Sequence, residues 1–386
     1  MAKPVFVAWR DLRFAKGRFA LMGTVIVLIT VLVGLLSGLT AGLGRENTSA
    51  ITALPADHLV FSAPADGRGV AFTDSRLPER TVRDWAGVPG VRRAEPLGIA
   101  TTKAEAGSRT AAVSAFGVRP GSRLTPAPGG VGDGAVVLSE KAATALGVRA
   151  GGALTLGGRT VRVAAVSGAA MYSHTPVVWT SLGDWQRLTG GSGPAGTSDS
   201  GGRGGSGATG SGSASGASVG ATVLALSTTG TADLTAADEK FGTKTVTTDD
   251  ALRAIGSFTA ENGSLQLMRG FLFAISALVI GAFFTVWTIQ RSGDVAVLKA
   301  LGASTRALLR DALGQAVLLL VIGTGLGTAV VAGVGVGIGG AVPFVLDPST
   351  VLIPALIMIA LGAVGAALSI RRITSVDPLT ALGSAR

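Results

Sequence analysis

The run FALMGTVIVLITVLVGLLSGLTAGLG, residues 19–44, holds no Asp, Glu, Lys, Arg or His. It is longer than the ~20 apolar residues that carry a helix across a bilayer. Residues 270–290, 312–346 and 348–370 are uncharged in the same way. Together they set four transmembrane helices, at 19–44, 265–290, 306–341 and 350–371. Between the first and second lies a long stretch, residues 45–262, of mixed polar and strand-like sequence. The predicted fold is a membrane α-helical protein of four transmembrane helices, with an extracytoplasmic α+β domain inserted between helices 1 and 2. The first run far exceeds the ~7–15 residues of a signal-peptide core, so it reads as a retained span.

The formal net charge is +10, and its placement decides between a nucleic-acid partner and a membrane topology. Residues 1–18, 291–311 and 371–386 together carry twelve Lys and Arg against four Asp and Glu. The stretch 45–261 carries twenty against eighteen, and the turn around Asp347 has no basic residue. Basic residues in short loops mark the cytoplasmic side. The N-terminus, the loop after the second span and the tail at 372–386 are therefore expected inside, and the large domain outside. The basic excess is a topology signal, and no nucleic-acid partner is expected. Within residues 1–18, Val5, Phe6, Trp9 and Leu12 share one helical face, with Lys3, Arg10, Arg13 and Lys16 largely on the other. That pattern predicts a cytoplasmic amphipathic helix lying against membrane lipid.

Gly34, Gly38 and Gly42 recur every four residues and fall on one face of the first span. Such stripes of small residues let two helix backbones approach closely, and here they are expected near the seam with a second copy of the chain. The third uncharged run is longer than one crossing, so its end near 339–346 reads as an outer turn.

In the large domain, strands are expected at 56–62, 111–118, 135–138, 153–156, 160–166, 176–180 and 221–226. Helices are expected at 81–86, 140–146 (capped by Ser139 and stopped by Gly147), 181–188 and 231–241. Residues 190–220 are dominated by Gly and Ser and read as a disordered insertion that buries no core. The chain has no cysteine. The domain must then rely on its core, which its size allows, and thiolate metal sites and a cysteine nucleophile are excluded.

The chemistry is sparse. No GxxxxGK[ST] motif occurs, so the chain has no P-loop of its own. The two histidines, His58 and His174, are too far apart for a local HExxH-type metal site. No Ser/His/Asp arrangement has sequence support. The uncharged runs lack the ionisable groups that ion-coupled carriers keep in the membrane, which disfavours a secondary transporter. The chain is not expected to be an enzyme, and energy must come from another subunit.

The most specific segment is QRSGDVAVLKALGAS, residues 290–304. It resembles the loop after the second span of FtsX-like, MacB-type ABC permeases, R-x-x-E-I-G-x-L-[KR]-A-[IL]-G-A-[ST]. Asp294 stands where Glu is usual and Ala296 where Gly is usual. The tail RRITSVDPLTAL, residues 371–382, is similar to the family's R-x-x-x-x-D-P-x-x-A-L. VVLSE at 136–140 and LGVRAGG at 146–152 resemble its periplasmic core. The resemblance implies that residues 291–305 form a coupling segment docking on an ABC ATPase subunit, which binds ATP and Mg. Arg291, Asp294, Val295, Leu298, Lys299, Leu301 and Gly302 would carry the docking. Val295, Leu298 and Leu301 share one helical face, leaving Asp294 and Lys299 for polar contacts. No cofactor of the chain's own is implied.

A narrower resemblance, to the heme-exporting, HrtB-like branch, rests on LSGLTAGLGRENTSAI at 36–51 and YSHTPVVW at 172–179. It implies an amphiphilic substrate, heme first, taken from the outer leaflet by paired permeases, a homodimer being the simplest form. Heme iron accepts His, Met or Tyr, which makes Met171, Tyr172 and His174 candidate contacts. Local polar contacts ahead of a strand are the alternative role for these three. Glu46 is a further candidate, its alternative being an ordinary helix-end charge. FtsX-like proteins also include transmitters that drive an outer protein partner and transport nothing, and that reading stays open beside export.

Overall fold

The computed structural model describes residues 16–65, 67–190, 219–290, 293, 297, 302, 304–338 and 342–374. The expected N-terminal amphipathic helix, most of the Gly/Ser insertion, Arg291, Asp294, Val295, Leu298, Lys299 and Leu301, and the end of the tail lie outside the described residues.

The chain opens with helix α1 (Lys16–Thr52) and strands β1 (His58–Ser62) and β2 (Leu77–Pro78), then α2 (Glu79–Ala86). Next come β3 (Val91–Ala106), β4 (Arg109–Val118), β5 (Ala135–Leu138), α3 (Glu140–Leu146), β6 (Ala153–Leu156) and β7 (Arg159–Val166). A short β8 (Met171–Tyr172) precedes β9 (Thr175–Ser181), α4 (Leu182–Gly190), β10 (Val219–Ala221) and β11 (Val223–Thr228). The remaining elements are α5 (Leu234–Phe241), β12 (Thr243–Thr247), α6 (Thr248–Ala251), α7 (Gly256–Gln290), α8 (Thr305–Gly337) and α9 (Pro348–Thr374). They form two compact units, Met1–Leu43 with Asn262–Arg386, and Gly44–Glu261.

The first unit holds helices apolar and long enough to cross a membrane: α1, α7, α8 and α9. Met22, Ile26, Ile280, Phe284, Leu320 and Met358 are buried where these helices meet, while Leu28, Phe271, Leu278 and Leu356 stay exposed, as lipid-facing residues do. Close approach depends on glycine. A Cβ on Gly34 would meet the Val331 side chain at 2.7 Å, one on Gly38 the Phe344 ring at 2.4 Å, and one on Gly42 the Pro343 carbonyl oxygen at 1.8 Å. The stripe is therefore filled by this chain's own α8 and the segment after it, where the spacing alone predicts a seam with a second copy. The glycine at 38 also accepts a hydrogen bond from Val345 N, 3.1 Å. That bond ties the non-helical stretch after α8 to α1.

In the second unit one mixed sheet runs β12-β1-β11-β3-β4-β9-β5-β7-β6. Its organising element is β3, absent from the sequence expectations because charge, Pro96 and Gly98 interrupt its alternation. The first half of β3 pairs β11, and the second half pairs β4 and β6. Gly98 and Gly117 face each other across β3 and β4. Their missing side chains make room for the side chain of Trp185 from α4: a Cβ on Gly98 would lie 2.2 Å from the indole, and one on Gly117 2.4 Å from the Trp185 Cβ. Truncating this fully buried ring with Trp185→Ala is expected to cost ~3–5 kcal/mol. Thermal unfolding of the purified chain should show a drop of several degrees.

Helix α3 behaves as its sequence dictates. Ser139 Oγ accepts from Ala142 N at 3.3 Å, and Gly147 ends the helix with φ 66°. These caps fix the direction of Lys141 on its first turn. Helix α1 differs: it runs past Gly44 to Thr52, because no proline interrupts the chain before Pro55. Arg45 to Thr52 are thus helical, and Ala50, Ile51 and Leu54 enter the core of the second unit beside Phe72, Phe116 and Tyr172.

Candidate functional site

The helical segment after Gly44 brings Glu46 and Asn47 beside a tight hairpin. Between β8 and β9 the connection is only Ser173 and His174, with φ 49° and 61°. Left-handed conformations at both central positions define a type I′ turn, which usually takes Asn or Gly. Here the conformation is held by partners. Ser173 N donates to Asn47 O (3.0 Å) and His174 N to Glu46 O (3.3 Å). Ser49 Oγ accepts from Met171 N at 2.9 Å, and Thr175 Oγ1 donates to Tyr172 O at 2.8 Å. The hairpin is thereby clipped onto the last turns of α1, and the His174 ring projects between two carboxylates.

On one side of the ring, His174 Nε2 lies 3.0 Å and 2.8 Å from the carboxylate oxygens of Glu261, on the second turn of α7. Asn47 Nδ2 sits 2.8 Å from the same nitrogen and 3.1 Å from Glu261 Oε2. A carboxylate only accepts and an amide NH₂ only donates, so Nε2 cannot bond to both. The consistent network has Nε2–H and Asn47 Nδ2 each donating to Glu261, with Ser257 Oγ donating to Asn47 Oδ1 and Ser173 Oγ 2.8 Å from Ser257 Oγ. On the other side, His174 Nδ1 lies 3.9 Å from Glu46 Oε2, and Glu46 Oε1 is paired with Lys141. Asn47 is almost wholly buried. The His174 side chain is 31% exposed and that of Glu261 42%, so a ligand can reach both. The Lys141 side chain is 51% exposed and that of Glu46 21%, and such a partly solvated pair contributes no more than ~1 kcal/mol to stability.

The candidate residues separate. Glu46 and His174 meet in one polar cluster. Met171 and Tyr172 point away and are buried, with Tyr172 edge-on to both Phe72 and Phe116. Burial pushes the Tyr172 hydroxyl well above the usual phenol range. Both residues are correspondingly poor candidates for metal ligation, because each fills the core beneath the hairpin. Gly302, of the coupling set, is exposed and has φ 92°, a conformation that requires glycine. Lys141, Ser257 and Glu261 were not legible as members of the site. No local motif marks them, and Glu261 lies 87 residues from His174 and 214 from Asn47. The two carboxylates flank opposite ring nitrogens, so they do not converge on one metal position. Among the described residues no group of three His, Asp or Glu side chains does.

Residues 19–244 match the MacB-like periplasmic core domain, and residues 267–378 match the FtsX-like permease C-terminal region. A Staphylococcus epidermidis protein named for hemin transport, the permease HrtB, is 24% identical over 383 residues, covering 98% of this chain and 99% of its own length. Its Staphylococcus haemolyticus counterpart is 25% identical over 385 residues, with the same coverage. An ABC transporter permease of Mycobacterium bovis is 25% identical over 396 residues, covering 98% of this chain and 99% of its own. Among solved structures, the extracellular domain of the ABC-type transporter YknZ from Gram-positive bacteria is similar at 14% identity and a TM-score of 0.32. It covers 49% of this chain and 97% of its own.

Proposed function

Because the chain belongs to the family of permeases with a MacB-like periplasmic core domain and an FtsX-like C-terminal region, we propose that it is the membrane subunit of an ATP-driven exporter. It is a multi-pass membrane permease with an extracellular domain, and permeases of this kind draw on a separate ATPase subunit. In our reading two copies work with two ATPases and expel an amphiphile from the outer leaflet, hemin being the first candidate. The N- and C-termini lie in the cytoplasm, as the basic residues of the short segments favour, and the large domain enters the chain between the first and second spans. The observation that carries the hemin reading is the alignment with HrtB proteins along 98% of the chain. Glu46 and His174 are the proposed substrate contacts. They are the accessible members of the candidate set, and His174 supplies a nitrogen donor that heme iron accepts.

ATP turnover by the chain, co-purified with an ATPase subunit in nanodiscs and titrated with hemin, tests this. Stimulation of several-fold at low micromolar hemin is expected, reduced at least tenfold in apparent affinity by His174→Ala. Intact basal turnover with no response to hemin would overturn the substrate and leave a lipid, a peptide or an outer protein partner as the object of the motion.

A further inference from the structure

The two carboxylates around His174 are not equivalent. Glu261 holds Nε2, the ring nitrogen remote from the main chain and the one a bulky ligand can approach. Its oxygens lie at 3.0 Å and 2.8 Å, the closer one also accepting from the buried Asn47. Glu46 faces Nδ1 across 3.9 Å, too far for a hydrogen bond, with one oxygen taken by Lys141 and the other turned to the ring. A histidine that binds a metal through one nitrogen generally donates the other N–H to a carboxylate. The arrangement therefore contains a non-ligating partner and a ligating partner for the same ring.

We propose that Glu261 masks His174, and that the site becomes competent when the ring exchanges its Nε2–H bond to Glu261 for an Nδ1–H bond to Glu46. The proton on Nε2 leaves to solvent and one is taken up at Nδ1. The lone pair then sits on Nε2, free for an electron-pair acceptor such as ferric iron in a porphyrin. The inference rests on the proposed substrate class, but the masking itself does not. Glu261 lies on α7 and His174 on the hairpin clipped to α1, so displacement of the start of α7 would unmask the ring. Ligand affinity would then depend on the state of the helices. Glu261 is a positioning residue in this scheme, Glu46 the group that orients the ligating ring.

The chain has only two histidines, which makes the test direct. Carbethoxylation by diethyl pyrocarbonate requires an unprotonated ring nitrogen, and peptide mass mapping of the full chain in nanodiscs separates His174 from His58. Glu261→Ala should raise the His174 rate at least fivefold without changing His58. Glu261→Gln, which keeps the shape and an acceptor, should raise it less, and Glu46→Gln should not raise it. Hemin titration followed by the Soret band should show Glu261→Ala binding several-fold tighter than wild type and Glu46→Gln binding several-fold weaker. An unchanged or slower His174 rate in Glu261→Ala would overturn the masking. A faster rate with no change in hemin binding would leave the masking in place and overturn hemin as its ligand. Loss of fold would raise the His58 rate as well, and in that event Glu261→Gln decides: a selective rise at His174 supports the masking, and none overturns it.

Discussion

Gly42→Ala is expected to destabilise the membrane unit more than any other single methyl group added to α1. The new Cβ would lie 1.8 Å from the Pro343 carbonyl oxygen and 2.3 Å from its carbon. Those are backbone atoms, in a stretch fastened to α1 through Val345 N and Gly38 O, and they cannot rotate aside as a side chain can. Overpacking a fitted site costs ~1–3 kcal/mol even where side chains can yield. Here the clash exceeds 1 Å on rigid atoms, so Gly42→Ala should fall at or above the top of that range. Gly38→Ala should cost less, because its 2.4 Å contact is with the movable Phe344 ring, and Gly44→Ala, with nothing within 4 Å, should behave as wild type. Heating the detergent-purified variants and measuring the monodisperse fraction by size exclusion gives the order. A Gly42→Ala protein as heat-stable as Gly44→Ala would remove this packing. Loss of dimer with unchanged monomer stability would instead place the glycines at the seam with a second copy.

The glycine stripe shows how far the sequence carries and where it stops. A four-residue spacing of small side chains says that something approaches closely. It does not say whether the approaching backbone belongs to the same chain. The four apolar helices were legible because a bilayer imposes length and uncharged composition together. The caps of α3 were legible because Ser139 and Gly147 act within one turn of themselves. β3 was hidden by its double role. Its two halves pair with different neighbours, so no single alternating pattern runs its length. The hairpin at Ser173 and His174 was hidden for another reason. Its positive φ angles are imposed by carbonyls of α1 and not by an Asn-Gly signal. Met171, Tyr172 and His174 are neighbours in sequence, yet two face the core and one faces the polar cluster. The residue that completes the cluster, Glu261, reaches it through the second helix boundary.

Replacing both Leu298 and Leu301 with Asp is expected to abolish co-purification of an ATPase subunit while the chain still inserts and remains soluble in detergent. The spacing of Val295, Leu298 and Leu301 predicts one shared apolar face, and helical Val297, in the same short segment, is 60% exposed. In our proposal an ABC ATPase subunit receives that face, since the chain has no P-loop of its own. Placing a carboxylate into a desolvated contact costs at least ~2 kcal/mol. Two such changes weaken docking by about a thousandfold, since each 1.4 kcal/mol is about tenfold in Kd. Gly302→Val should act on the same junction by a different route, because φ 92° at that position admits no branched side chain without strain. It should weaken docking less, since it leaves both leucines unchanged. The measurement is pull-down of the ATPase with the tagged permease from solubilised membranes, alongside the yield of permease itself. Unchanged capture by the double aspartate variant would remove this segment from the coupling path. Restoration of capture by a basic substitution in the ATPase groove would identify the surface it fits.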